Sequence, residues 1–373
     1  MKRLISLLLT LALVCASCVC LAEDTAIWEL PNKATALSPN LMGNKVSFVA
    51  QITGENSANK TLSRFNVWGT DLGSMAEMDG KVYMFGGDTF SSAQNAGWRS
   101  NVLFIIEDED PSDGLTITGA ITNKKGTEAI ELLGSAKRDH VQMTVIPTDI
   151  FAVDDTLYCI YMSVKHWNEL GGSWDCGFSG LAKSTNNGQK WEKLPLRWPG
   201  DSNFIQTAHC QVGDTMYLWG IPSGRYGGVA LMKVNVAEIE DGEAYEYFVG
   251  TDESGNPQWV KGSEGIMQAK VIIEDPVGEI SVIYNEYLGN FVMTYLHEGG
   301  RGIVMREGVT PWGEWSKEYV LATPGQYASL YGAYMCPKFV EEDGKVFYFA
   351  MSQYFPIYNI MWMRVELPTV ARD

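Results

Sequence analysis

Two aspartates stand among small residues at the ends of two apolar runs: Asp71 in "GTDLG" and Asp88 in "FGGDTF". Between the runs lies Asp79-Gly80, the strongest kind of two-residue hairpin signal, and such a turn sets Asp71 directly opposite Asp88. Opposed residues of an antiparallel pair point to the same face, with Cβ atoms roughly 4.5–5.5 Å apart. A one-residue slip would send the acids to opposite faces. Two like charges that close repel unless a proton, a cation or an arginine intervenes. With one member protonated and the other ionised, the pair has the chemistry that cleaves glycosidic bonds. Left solvated, it only caps a hairpin. The surrounding glycines leave room for a sugar ring, or mark a bend.

The elements that must position these acids recur. A turn followed by an aromatic-rich strand occurs as "DGKVYMFGG" at Asp79, "DDTLYCIYM" at Asp154, "GDTMYLWGI" at Gly213, "YLGNFVMTY" at Tyr287 and "DGKVFYFAM" at Asp343. Aligned on Tyr83, Tyr158, Tyr217, Phe291 and Phe347, the repeats are spaced by roughly 55–75 residues, which suits a four-stranded blade with generous loops. Both faces of these strands are apolar, as where sheets stack on sheets. The pattern predicts an all-β chain, a five-bladed β-propeller. "STNNGQKW", Ser184 to Trp191, fits an Asp-box with Asn186 in the Asp position, a structural hairpin marker. Helical periodicity is scarce, and "VNVAEIEDGEAYEY" offers one short turn at most. The run from Val46 is expected to close the ring against "NIMWMRVEL".

Carrying the offsets of Asp71 and Asp88 into the other repeats brings further side chains to the same end. Trp167, Arg225, Tyr226, His297 and Tyr354 fall there, with Glu279 as a third acid and Tyr334 in the last repeat. Arg138 and His140 in "KRDH" complete the set of candidate sugar contacts. Aromatic faces stack on sugar C–H groups, and polar tips bond hydroxyls. Each has a plainer alternative: blade packing for Trp167 and Tyr354, a surface ion pair for Arg225, a structural role for the histidines.

Composition narrows the partners. The 373-residue chain is 46% hydrophobic and 12% aromatic, enough for a large core. A formal charge of −17 without a basic stripe excludes nucleic acid and anionic membrane surfaces as natural partners. Lys2-Arg3, the apolar run Leu4 to Leu21 and Ala22 read as a signal peptide over residues 1–22, so the chain is expected to be secreted. An N-terminal arm over 23–45 and a propeller over 46–368 follow. Beyond the leader, Cys159, Cys176, Cys210 and Cys336 lack zinc spacing, and no metal ligand set is expected. No cofactor is required, a structural calcium is left open, and a monomer is expected. There is no G-x-S-x-G elbow, H-E-x-x-H or phosphate-cradling loop.

"GTDLG" followed by "FGGDTF" resembles the opening motif of a bacterial family long known as a domain of unknown function and since recognised as endo-D-arabinanases. These are five-bladed propeller glycoside hydrolases that cut α-linked D-arabinofuranose in mycobacterial-type cell-wall polymers. The resemblance continues in "IPTDIFAVDDTLYCIYMSV", "GEISVIYNEYLGNFVMTYL", "PWGEWS", "YGAYMCPKF" and "FAMSQYFPIYNIMWMRVEL", spanning Val46 to Leu367. It implies Asp71 and Asp88 as the catalytic pair and an arabinofuranose-containing polysaccharide or oligosaccharide as substrate. The doubled glycine before Asp88 departs from the single one expected, and would shift the second carboxylate. Two other readings stay open: a non-catalytic glycan-binding propeller, and a sialidase-like hydrolase, which would want an arginine where Asp71 stands.

Overall fold

Runs rich in Val, Ile, Tyr and Phe, punctuated by Gly, Asp and Asn turns, become antiparallel hairpins along the chain. The computed structural model describes residues 30–93 and 96–370, and the leader expected over 1–22 lies outside them. Strand β1 (Lys45–Gln51) precedes a short helix α1 (Thr61–Phe65). The first sheet holds β2 (Gly69–Met78), β3 (Lys81–Phe90), β4 (Val102–Ile106) and β5 (Ile117–Ala120). The second holds β6 (Thr144–Val153), β7 (Thr156–Trp167), β8 (Trp174–Ser184) and β9 (Glu192–Pro199).

A nine-stranded sheet follows. It begins with β10 (Gln206–Val212), β11 (Thr215–Ile221) and β12 (Gly227–Asn235), with β13 (Glu246–Thr251) and β14 (Pro257–Lys261) as a side pair. Through β12 it continues into β15 (Val271–Asn285), β16 (Asn290–His297), β17 (Gly302–Gly308) and β18 (Tyr319–Ala322). The last sheet holds β19 (Leu330–Glu341), β20 (Val346–Gln353) and β21 (Asn359–Glu366). Its fourth, outer strand is β1, paired antiparallel with β21 from Lys45↔Glu366 to Gln51↔Met361.

The aligned aromatics Tyr83, Tyr158, Tyr217, Phe291 and Phe347 all fall on the second strand of a hairpin. The first strands of those hairpins pack in a closed cycle: β2 on β6, β6 on β10, β10 on β15, β15 on β19, and β19 back on β2. Side chains from all of them, including Ser74, Asp149, His209, Ser281 and Tyr334, line a central cavity of about 340 Å³. The fold is all-β and propeller-like.

The Asp-box does its structural work. Asn186 Oδ1 accepts from the Ser184 hydroxyl at 2.9 Å and from the Lys190 amide at 3.0 Å. The turn then drives Trp191 against Phe85 of the first sheet, ring centroids 5.1 Å apart. Before β1, the chain is stitched to β16 and β17. Ala34 N donates to Gly289 O at 2.8 Å, and the Ser38 hydroxyl to Glu307 at 2.8 Å. Cys159, Cys176, Cys210 and Cys336 are buried free thiols that fill core space as small apolar groups. Helix α1 was not expected. The turn foreseen near Val236 is a single 3₁₀ turn, Val236–Glu238.

Candidate active site

The ladder between β2 and β3 is regular at both ends and broken in the middle, where the acids lie. Thr70 pairs with Thr89 and Ser74 with Phe85, but between them Leu72 pairs with Gly86. Asp71 and Asp88 are therefore not a ladder pair, as a plain hairpin would make them. They flank a double irregularity, and the charge of Asp88 is felt at Asp71. Leu72 takes a φ of 65°, a costly left-handed conformation for a branched residue, and Gly73 a φ of 103°. Ser352 of the last sheet pins this strained link, its hydroxyl accepting from Leu72 N at 2.8 Å.

The doubled glycine is what makes room. A Cβ on Gly87 would lie 2.5 Å from Asp71 Oδ1, and one on Gly86 would lie 2.4 Å from Thr70 Oγ1. Neither glycine is spare. What looked like a departure in the sequence is the space into which Asp71 is folded.

The two carboxyls live in different surroundings. Asp71 accepts from the Tyr331 hydroxyl at 2.9 Å on Oδ2, while its Oδ1 is buried with no hydrogen-bond partner among the described residues. Burial, then the negative charge of Asp88, push its carboxyl up to about 7, although the Tyr358 and Tyr331 hydroxyls pull the other way. Asp88 is held as an anion from two sides. Trp98 Nε1 donates to Oδ1 at 2.6 Å and the Thr144 hydroxyl to the same oxygen at 2.7 Å. Burial still raises it to about 6, against those two bonds and the charge of Lys137. Lys137 Nζ sits 4.0 Å over the Trp98 ring, a cation–π contact behind the bond to Asp88. Burial and the Asp71 charge keep the Tyr331 and Tyr358 phenols well above their ordinary range, so both remain donors.

Bulges recur on other inner strands where polar side chains enter the centre. The β6 ladder shifts between Pro147 and Asp149, the β15 ladder between Val277 and Ile280, and the β19 ladder between Tyr331 and Tyr334. Such irregularities re-aim side chains. They deliver Asp149, Glu279 and the two tyrosines, whereas β10 pairs with β11 without a break. Glu279 is buried and takes Arg225 Nε at 2.9 Å and Nη2 at 2.7 Å on one oxygen, leaving Oε2 without a hydrogen-bond partner among the described residues. The Arg225 guanidinium also lies 4.8 Å over the Tyr331 ring, linking this ion pair to Asp71. Tyr334 is buried, and after burial the charges of Glu279, Asp71 and Asp149 raise its phenol. Asp149 pairs with His209 at 2.8 Å.

The remaining expected residues gather less tightly. Tyr354 is exposed and packs edge-on against Tyr358, 6.2 Å between centroids, one ring away from Asp71. Trp167 stands partly exposed with its edge on Trp174, and Tyr226 is exposed with its hydroxyl on Gly171 O at 2.7 Å. His297 sits in a polar group of its own neighbours. It is buried, stacked on Tyr295 and 4.0 Å from Asp275. Arg138 is exposed, and His140 stacks on His166 beside Asp139. Trp98, Thr144, Lys137, Tyr331 and Tyr358 were not foreseen. Tyr331 and Tyr358 lie within the quoted family-like segments, and Asp149 in "IPTDIF" echoes the acid of "GTDLG". Trp98 and Lys137 come from loops with no repeat to align.

Residues 56–364 match the family model described as a domain of unknown function, DUF4185. No curated protein sequence matches the chain. Among solved structures, the chain is similar to a candidate hydrolase from Bacteroides ovatus ATCC 8483. The identity there is 14%, the coverage 82% of this chain and 87% of that one, and the TM-score 0.55. It is also similar to the exo-β-1,3-galactanase of Phanerochaete chrysosporium, at 9% identity and a TM-score of 0.52, covering 86% of this chain and 63% of that one. This chain thus spans less than two thirds of the galactanase. At such identities the shared property is the fold.

Proposed function

The chain belongs to the DUF4185 family, and we propose that it is a secreted glycoside hydrolase on a five-bladed β-propeller, acting on arabinofuranosidic linkages of cell-wall polysaccharide. The closed cycle of inner strands supports the blade number. A galactanase among proteins of similar fold supports a glycan as ligand, and the family-like motifs around both aspartates favour arabinofuranose. The observation that carries the reading is the contrast between two neighbouring acids, one pushed to about 7 with an unbonded buried oxygen, the other at about 6 under two donors.

That contrast assigns roles. Between about pH 6 and about pH 7, Asp71 keeps its proton while Asp88 is ionised. Asp71 is then the acid that protonates the leaving oxygen, and Asp88 the base or nucleophile on the other side of the bond. Arg225 is neutralised by Glu279 and so is poorly placed to hold a substrate carboxylate, which disfavours the sialidase-like reading.

The test is product release from mycobacterial arabinogalactan by the mature protein, Asp71→Asn and Asp88→Asn. Oligosaccharides from the parent, lost in both folded variants, support the proposal. Glycan binding without products from the parent would replace it with a binding role, and activity surviving both substitutions would remove the pair from the chemistry. Proton NMR of the first-formed anomer then separates retention from inversion.

A further inference from the structure

A second constellation lies apart from the carboxylate pair. Asp139 and His140 sit in a tight turn closed by Arg138 and Gln142, whose backbones bond in both directions at 3.1 and 2.9 Å. His166 comes from β7, two residues beyond Val164. The ligating atoms of Asp139, His140 and His166 all lie within 4.8 Å of one another. The carboxylate lies at the edge of both rings, with Oδ1 2.7 Å from His166 Nδ1 and Oδ2 3.6 Å from His140 Nε2. The imidazoles stack at 4.1 Å.

The backbone is bent to achieve this. His140 has a φ of 58°, in the left-handed region, and its amide donates to both Lys165 O at 2.9 Å and Asp139 Oδ1 at 3.0 Å. A histidine held at such a φ by flanking bonds is the kind of strain that clusters at ligand sites. The side chains of Asp139 and His140 are exposed, so water or another ligand has access to the group.

We propose that Asp139, His140 and His166 bind a divalent transition metal of the zinc class. Two imidazole nitrogens and one carboxylate oxygen suit that class, whereas calcium and magnesium want oxygen donors throughout. On metal binding His166 gives up the Nδ1–H that bonds Asp139 Oδ1 at 2.7 Å, and its remaining proton then resides on Nε2. His140, exposed over most of its surface, offers Nε2, already 3.6 Å from Asp139 Oδ2. Three protein donors leave further coordination positions for water or a ligand. The same loop carries Lys137, whose ammonium backs the Trp98–Asp88 bond, so metal occupancy stiffens the strap behind Asp88. Metal binding stands whether or not the chain cleaves glycans.

The experiment is titration calorimetry of tag-free mature protein, stripped with chelator and dialysed, with zinc chloride and separately with calcium chloride. One saturable zinc site per chain is expected, weakened at least about tenfold in His140→Ala and in His166→Ala, with no comparable heat from calcium. Circular dichroism and unchanged melting of the metal-free variants exclude misfolding, because both side chains are at the surface. Absence of a saturable zinc site overturns the proposal, as does a site whose affinity neither substitution alters.

Discussion

Trp98→Phe isolates one hydrogen bond behind the chemistry. Phenylalanine keeps a ring beneath Lys137 but removes the indole N–H that donates to Asp88 Oδ1 at 2.6 Å. That bond favours the ionised carboxylate, so its loss raises the Asp88 pKa. A hydrogen bond to a charged group contributes about 1.5–3 kcal/mol, and one pKa unit corresponds to about 1.4 kcal/mol, so the rise is about 1–2 units. Asp88 starts at about 6 and Asp71 at about 7. In the parent, roughly half the molecules carry the productive arrangement, Asp88 ionised and Asp71 protonated, at an optimum about midway between the two values. Raising Asp88 by about 1.5 units inverts the order, and the productive fraction falls to roughly an eighth at a slightly more alkaline optimum. The assay is kcat/KM against pH on an arabinan substrate, with the acidic limb moving up by about 1–2 units. An acidic limb that stays put in a folded, active Trp98→Phe would refute the role given to Asp88 or to its indole partner.

Other substitutions test the surroundings. The folded pKa of Asp71 lies above its ordinary 3.8, so its contribution to stability is complete below that value and is lost as pH rises through about 7. Asp71→Asn should therefore melt higher than the parent at pH 8, by on the order of 2–4 kcal/mol, and equally with it near pH 3.5. Gly87→Ala drives a methyl against Asp71 Oδ1 and the Leu72 side chain; urea unfolding should show a loss of about 1–3 kcal/mol, and kcat/KM should fall about a hundredfold. Arg225→Ala strands Glu279 as a buried charge, a loss of about 3–5 kcal/mol that Glu279→Gln in the same chain should largely restore.

The fold was legible because its signals are local and repeated. Turn residues and aromatic second strands mark the leading hairpin of each repeat, and Ser184 to Trp191 behaves as its pattern predicts. The acids were legible for a related reason, since a charged residue in an apolar strand stands out. The register at Asp71 was not. A bulge adds residues to both strands and restores the count on either side, so counting from the turn gives the right neighbours at both ends and the wrong ones between. Trp98, Thr144 and Tyr331 escaped because each approaches from another sheet or loop, a proximity that depends on tertiary packing. His297 lies at the end of β16, where Asp275 and Tyr295 surround it, company that the repeat alone does not reveal.

The strand that closes the last sheet comes from the beginning of the chain, and this ties the two ends to the chemistry. Tyr331, Tyr358 and Ser352 belong to the sheet that β1 completes, and all three reach across to Asp71 or its strained neighbour. A chain whose last sheet has not docked on β2 has both aspartates but lacks the hydroxyls that bond Asp71 and hold Leu72. If the aspartates are the catalytic pair, a clipped or partly opened molecule should lose activity before it visibly unfolds.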